Sequence, residues 1–244
     1  MKVTNKIVLV TGANRGIGEA LVTEALRRGA NKVFAGTRGP FRHPDPRVVP
    51  LTLDVTSDSQ IERAARELEG LDLLVNNAGL ALHDDLDELE ALQRQLAVNF
   101  LGPLKTSRAF LPLLTRSEGA ILNILSLAAI APVPLVPGYS ASKAAALSMT
   151  QSLRMSLAGR GVSVHAAFLG PIDTEMARGI DVPKASPHSA ATGILDGLER
   201  GEEDIFPDPA SAPVAEGFRS GVAKTLERSF SALVPPPKPA RSPA

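Results

Sequence analysis

The chain has 244 residues, 44% of them apolar, with 26 Lys and Arg set against 26 Asp and Glu and no cysteine. That length and apolar share suit one large α/β domain with a sizeable core, and the balanced charge gives no global field to draw nucleic acid or an anionic membrane. Without cysteine there is no disulfide framework and no thiolate metal site.

From the amino end, residues 1–6 lead into Ile7-Val8-Leu9-Val10, an aliphatic run without alternation, as in a strand buried on both faces of a parallel sheet. The run is too short for a signal-peptide core and no later stretch is long enough to span a membrane, so a soluble, cytoplasmic protein is expected. A turn follows at once, Thr11-Gly12-Ala13-Asn14-Arg15-Gly16-Ile17-Gly18, then a helix with apolar Ala20, Leu21, Ala25 and Leu26 that ends at Gly29. Strand, glycine turn and helix start together make an anion site, because glycines let the backbone approach a pyrophosphate and the free N–H groups of the first helical turn point at it. The spacing is G-x-x-x-G-x-G and not G-x-G-x-x-G; a simple tight connection is the plain alternative.

Residues 32–36 read as a second strand whose end decides which dinucleotide fits. An acidic residue there would bind a ribose 2′-OH and repel a 2′-phosphate. This chain offers Thr37-Arg38, and Arg38 with Arg15 could clamp a 2′-phosphate, so NADP is expected over NAD, with solvated surface arginines as the alternative. Residues 41–50, with Pro40, Pro44, Pro46 and Pro50 in or beside them, read as a loop. Residues 48–55 give a third strand carrying Asp54, and Thr56 or Ser57 caps a helix over 58–68. Asp54 either touches an adenine amino group or only caps. Residues 71–75 are a fourth strand, closed by Asn76-Asn77-Ala78-Gly79, where two amides can tie neighbouring strands and leave bare backbone beside a ligand.

Asp84-Asp85-Leu86-Asp87-Glu88 reads as an acidic helix start and solvated face. His83 beside it shows no ligand spacing and the four histidines are scattered, so no metal is expected. Residues 89–114 form a long helical segment, interrupted near Gly102-Pro103, in which Asn99 stands between Val98 and Phe100 as a buried amide that must find partners. Residues 120–125 are a fifth strand with Ser126 at its end. The nearly apolar stretch 127–138 is odd for a solvated connection and reads as a pocket wall; Leu127, Val133, Leu135 and Val136 argue for an apolar substrate body. Next comes Tyr139-Ser-Ala-Ser-Lys143, which puts a phenol and an ammonium on one helix face. A nearby cation favours the ionised phenol and makes Tyr139, the only tyrosine, a better proton donor. A partly buried Tyr with a surface Lys is the bland alternative.

Thr11-Gly12-Ala13-Asn14-Arg15-Gly16-Ile17-Gly18, Asn76-Asn77-Ala78-Gly79, Asn99, Ser126 and Tyr139-x-x-x-Lys143 stand in the order and at the intervals of the short-chain dehydrogenase/reductase family, which the chain resembles over about residues 6–176. The resemblance implies a single doubly wound parallel-sheet Rossmann domain over residues 1–232, a nicotinamide cofactor and a catalytic tetrad of Asn99, Ser126, Tyr139 and Lys143. It carries cofactor binding to Gly12, Asn14, Arg15, Gly16, Ile17 and Gly18, to Arg38, Asp54 and Val55, and to Asn77, Ala78 and Gly79. Tyr139, Lys143, Gly170, Ile172 and Thr174 complete that set, with Asp54 on adenine, Arg15 and Arg38 marking the NADP-preferring branch, and Ile172 and Thr174 along the nicotinamide carboxamide. Residues 162–168 are a sixth strand. Leu169-Gly170 replaces the family's usual Pro-Gly, which bears on the rigidity of the loop more than on cofactor binding, and residues 175–186 are short for a substrate lid, implying an open pocket. Residues 190–200 read as helix and Asp204-Ile205-Phe206 as a last strand. Val214, Phe218, Val222, Leu226 and Phe230 recur every four residues as a stripe expected to cover the domain's own core. The remainder, 233–244 with Pro235 to Pro239, reads as a disordered tail.

The reaction this resemblance implies is reversible, NADPH-dependent reduction of an apolar ketone or aldehyde. Ser126 would bind the carbonyl oxygen and Tyr139 would protonate it. Lys143 would depress the phenol and hold the nicotinamide ribose, and Asn99 would position a backbone-bound water that passes protons to Lys143. Expected partners are a small carbonyl or alcohol substrate and a second copy of the chain, paired through residues 89–114 and 139–157. NAD-dependent alcohol oxidation, and an NADP-binding sensor without turnover, are the alternatives.

Overall fold

A computed structural model describes residues 1–84, 86–231 and 233. Among them, β1 (Ile7–Thr11), β2 (Lys32–Thr37), β3 (Val48–Thr52), β4 (Leu73–Asn76), β5 (Ala120–Ser126), β6 (Ser163–Leu169) and β7 (Asp204–Ile205) form one sheet in the order β3-β2-β1-β4-β5-β6-β7. Every neighbouring pair is parallel. Helices lie on both faces, which is why the strands read as unbroken apolar runs. Val8 and Val10 pack with Leu21, Val22 and Ala25 of α1 (Gly16–Arg27) and with Ile194, Leu195 and Leu198 of α6 (Pro187–Arg200). Leu9 points the other way, to Ile61 of α2 (Asp58–Glu67), Phe110 and Leu114 of α4 (Gly102–Ser117), and Leu157 of α5 (Pro137–Leu157). The chain leaves β1 toward β2 on one side and reaches β4 on the other, so a crevice opens at the carboxyl ends of β1 and β4, the place where doubly wound sheets bind ligands.

Several expectations are corrected. The interruption expected near Gly102-Pro103 is a π-helical turn, Ala97–Leu101, that leads from α3 (Leu89–Leu96) straight into α4, so Pro103 lies just past a widened turn of one continuous helical path. The third strand stops at Thr52 because Asp54 and Thr56 close a turn there. The acidic stretch is not wholly a solvated face: Asp84 accepts hydrogen bonds from Gly138 N and Gln95 Nε2, while Asp85 lies outside the described residues. Pro235 to Pro239 also lie outside them.

The C-terminal stripe covers the core only at its start. Phe218 of α7 (Ala215–Ser220) packs on Phe168 and Phe206, with ring centroids 4.9 and 5.7 Å away. On α8 (Val222–Ser231), Val222, Leu226 and Phe230 are instead 76%, 46% and 52% exposed. The charged side of α8 has turned inward: Lys224 Nζ lies 2.7 Å from Asp204, 2.8 Å from Glu203 and 3.1 Å from Glu227, and Glu227 pairs with Arg154. Four-residue spacing shows that one face of a helix is apolar; partners elsewhere in the chain decide which face docks.

Candidate active site

The amino-terminal half of the site is a backbone cradle. Gly12 adopts a left-handed φ of +66°, and a Cβ there would stand 2.9 Å from Ala78 Cα. A Cβ on Gly18 would collide with the carbonyl oxygen of Gly12, so turn and helix pack backbone against backbone. Thr11 Oγ1 accepts from the N–H groups of Asn77 and Ala78, each at 3.0 Å, and Asn77 Nδ2 donates to the carbonyls of Thr11 and Gly12 at 2.9 and 3.2 Å. The Asn-Asn pair thus does tie strands. Asn76 works inward, donating to Asn123 Oδ1 at 2.8 Å and accepting from Thr106 Oγ1 at 2.7 Å. Helices α2 and α6 are capped by the Ser57 and Ser186 side chains; Arg15 at the start of α1 makes no such cap, and neither do the residues that open α3, α4 and α5. What sets α1 apart is that its uncapped first turn follows a glycine turn packed backbone to backbone, which fits a diphosphate.

At the adenine end the residues separate. Arg38 and Asn14 are exposed, Val55 is buried against Gly102, and Asp54 Oδ1 accepts from Thr56 N and Oγ1 at 2.9 and 2.7 Å. Burial raises the Asp54 carboxyl, but the Thr56 hydrogen bonds and the Arg38 charge outweigh it and leave it below its ordinary value. Ser57, not Asp54, caps α2. Arg15 was expected beside Arg38; it forms an ion pair with Glu175 instead.

Across the crevice, Ser126 ends β5 opposite Leu169, Tyr139 stands in the first turn of α5, and Lys143 follows one turn later. Ser126 Oγ accepts from Ala128 N at 3.2 Å, and its side chain lies close enough to the Tyr139 phenol to hold the phenol's pKa down in part. Lys143 is 5% exposed; its Nζ donates to the Ile124 carbonyl at 2.8 Å and lies 5.7 Å from the Tyr139 ring centroid. Asn99, in the π-turn and 1% exposed, donates to Leu80 O at 2.7 Å and to Ser142 Oγ at 2.9 Å, and accepts from Leu80 N at 2.8 Å. It reaches α5 through Ser142, which donates to Tyr139 O at 2.7 Å. Sequence reading missed Ser142, although it directly precedes Lys143, and missed the Asp84 and Gln95 brace at the start of α5, for which spacing gives no signal.

The electrostatics differ from expectation. Part of Tyr139 stays accessible, yet burial pushes its phenol up to about 12, an effect the nearby Ser126 hydroxyl only partly offsets. Burial likewise pulls the Lys143 amine down to about 8. Both groups lose water, which penalises the charged form of each, and this outweighs the depression of the phenol that Lys143 was expected to cause. The pair is therefore a phenol that keeps its proton and an amine that changes charge close to neutrality.

The loop after β6 closes the site. Ile172 is buried and bridges to Ala185, and Thr174 Oγ1 donates to Ile172 O at 3.3 Å. A Cβ on Gly16 would meet Thr174 Cγ2 at 3.2 Å, so this loop lies over the glycine turn, with the Arg15–Glu175 ion pair beside that contact. The apolar stretch before α5 divides: Ala128 and Ala129 are buried, while Val133 and Leu135 stay exposed. Among the described residues, no group of three His, Cys, Asp or Glu side chains converges as metal ligands, and no helix is long and apolar enough to cross a membrane.

Comparison with known proteins accords with this geometry. The family model for short chain dehydrogenases matches residues 6–184. A short chain dehydrogenase from Burkholderia cenocepacia, solved as a crystal structure in complex with NADP, is 38% identical, with a TM-score of 0.86 over 96% of this chain and 100% of that one. The structure of ElxO with NADP bound, 23% identical with a TM-score of 0.76, shares the fold. An uncharacterised oxidoreductase of Staphylococcus aureus is 33% identical over 213 residues, covering 80% of this chain and 91% of that protein. Estradiol 17-beta-dehydrogenase 2 of Rattus norvegicus is 34% identical over 194 residues, 72% of this chain and 50% of the relative, so the chain matches only half of that protein. The chain belongs to the short chain dehydrogenase family of oxidoreductases.

Proposed function

We propose that the protein is an NADP(H)-dependent oxidoreductase that interconverts an apolar ketone or aldehyde and its alcohol. The observation that carries this reading is the meeting of Tyr139, Ser126 and Lys143 at the carboxyl end of β5, beside a glycine cradle whose helix start has no cap. The dinucleotide would be held by Gly12, Gly16, Ile17 and Gly18 at the diphosphate, by Arg38, Asp54 and Val55 toward the adenosine, with Asn14 and Arg15 near it, by Asn77 to Gly79 along the crevice, and by Gly170, Ile172, Thr174 and Lys143 at the nicotinamide end. NADP over NAD is supported by Arg38 at the end of β2 and by NADP in the Burkholderia relative. When bound, NADPH supplies the hydride.

Ser126 Oγ orients the substrate oxygen and Tyr139 Oη delivers a proton to it. A phenol that holds its proton up to about 12 is in the donating form throughout the neutral range. Lys143 Nζ, poised at about 8, is suited to restore that proton, with Asn99 positioning a backbone-bound water as the relay toward solvent. Val133 and Leu135 support an apolar substrate body, and the estradiol dehydrogenase relative supports including a steroid ketone among those tried. We also place the protein in the cytoplasm, as one domain over residues 1–232 that forms a homodimer through residues 89–114 and 139–157. The test is NADPH consumption against aliphatic, aromatic and polycyclic ketones and aldehydes: turnover of at least one class is expected. Tight NADP binding with no turnover across the whole panel would favour the sensor alternative.

A further inference from the structure

Asp208 has no part in the reaction above, yet its carboxylate is 3% exposed in the loop after β7. A carboxylate so buried must be held by hydrogen bonds, and four reach it. Oδ1 accepts from Ala210 N and Ser211 N at 3.0 Å each, and Oδ2 accepts from Ser211 Oγ at 2.9 Å and from Gly170 N at 3.0 Å. Three of these close the local turn. The fourth reaches 38 residues back, to the first residue after β6. The two segments interlock, since a Cβ on Gly170 would stand 2.6 Å from Ala210 Cβ and 2.8 Å from Asp208 Oδ1. Leu169 leaves the backbone torsion at the end of β6 free, where a proline would fix it.

We propose that Asp208 is a positioning residue: by holding Gly170 it supplies from outside the constraint that Leu169 does not, and so sets the path of the loop through Ile172 to Thr174 against the nicotinamide end of the cofactor. This rests on the NADP reading above. Asp208 touches Gly170 and not the cofactor, so its influence falls on one end of the dinucleotide only.

The test compares dissociation constants for NADPH and for adenosine 2′,5′-bisphosphate, which lacks the nicotinamide half, in the wild type, Asp208→Asn and Ser211→Ala. In Asp208→Asn the amide oxygen can still accept from Ala210 N and Ser211 N, while the NH₂ group that replaces Oδ2 can donate to Ser211 Oγ but faces the Gly170 N–H, so that bond is lost. Ser211→Ala weakens the local turn and leaves Gly170 held. Asp208→Asn is expected to weaken NADPH roughly tenfold, the effect of one charge-assisted hydrogen bond, and to leave the bisphosphate within about twofold. Ser211→Ala is expected to lower the melting temperature and to change neither constant beyond about twofold. Equal weakening of both ligands by Asp208→Asn, no weakening of either, or the same selective loss in Ser211→Ala would overturn the proposal. If Asp208→Asn does not fold, Asp208→Ser, able to close its own turn but too short for Gly170, is read by the same criteria. A wild type that binds neither ligand overturns the cofactor reading itself, an outcome distinct from the others, and the proposal falls with it.

Discussion

Replacing Lys143 with methionine should make the protein more stable near neutral pH and less stable in alkali. The ammonium is buried with one hydrogen bond, to the Ile124 carbonyl at 2.8 Å, and burial pulls it from an ordinary 10.5 to about 8. The folded protein therefore releases this proton more readily than the unfolded chain. Between pH 8 and 10.5 only the unfolded state holds it, so this group's contribution to stability rises with pH across that window, and below pH 8 the full penalty applies. Over that gap the penalty amounts to ~3 kcal/mol. Methionine removes it and leaves the Ile124 carbonyl without its partner, a loss of ~1–2 kcal/mol. The net gain near pH 6.5 is ~1–2 kcal/mol, or about 2–8 °C in melting temperature for a chain of this size. At pH 10 most of the penalty is gone and the missing hydrogen bond dominates, so the sign of the difference reverses. Thermal unfolding by circular dichroism at both pH values reads this directly. The Tyr139 phenol, raised to about 12, acts oppositely above pH 10, because the folded state then keeps a proton the unfolded state loses, but it is common to both proteins. A variant less stable at both pH values, or a difference that ignores pH, would refute the reasoning.

Arg38→Asp should weaken NADP binding about 10- to 100-fold and improve NAD binding, since one charged hydrogen-bond donor is worth ~1.5–3 kcal/mol; an unchanged ratio of dissociation constants would remove Arg38 from the phosphate clamp. Lys224→Met leaves the buried Asp204 and Glu227 with Arg154 as their remaining ion-pair partner and removes the ion pair of Glu203, and should destabilise the fold by ~3–5 kcal/mol, with partial recovery as the pH falls and carboxylates take up protons. An unchanged melting temperature in that variant would show that charge pairing does not hold α8.

The parts of the molecule legible in the sequence are those where a local pattern has one physical solution. Aliphatic runs ending in Thr11, Asn76 and Ser126 could only be buried parallel strands, and their carboxyl ends carry the site. Tyr139 and Lys143 share a helix face because helical geometry leaves no other arrangement one turn apart. What escaped depends on distant partners. The π-turn at Asn99 is favoured by an amide that must reach both Leu80 and Ser142. The inward charge of α8 needs Arg154 and Asp204, far away in sequence. The charge state of Tyr139 and Lys143 turned on burial depth, which residue spacing does not encode. Asp208, between two prolines, reads as an ordinary turn residue until Gly170 is brought beside it.

The central claim is that Tyr139 delivers a proton to a substrate oxygen. Single-turnover reduction of an accepted ketone by NADPH-loaded Tyr139→Phe tests it most directly, with NADPH affinity measured alongside. A positioned proton donor is worth about 10²- to 10⁴-fold, so the rate should fall by at least about 100-fold while the NADPH dissociation constant stays within about threefold. Reduction by the phenylalanine variant at the wild-type rate would contradict the account.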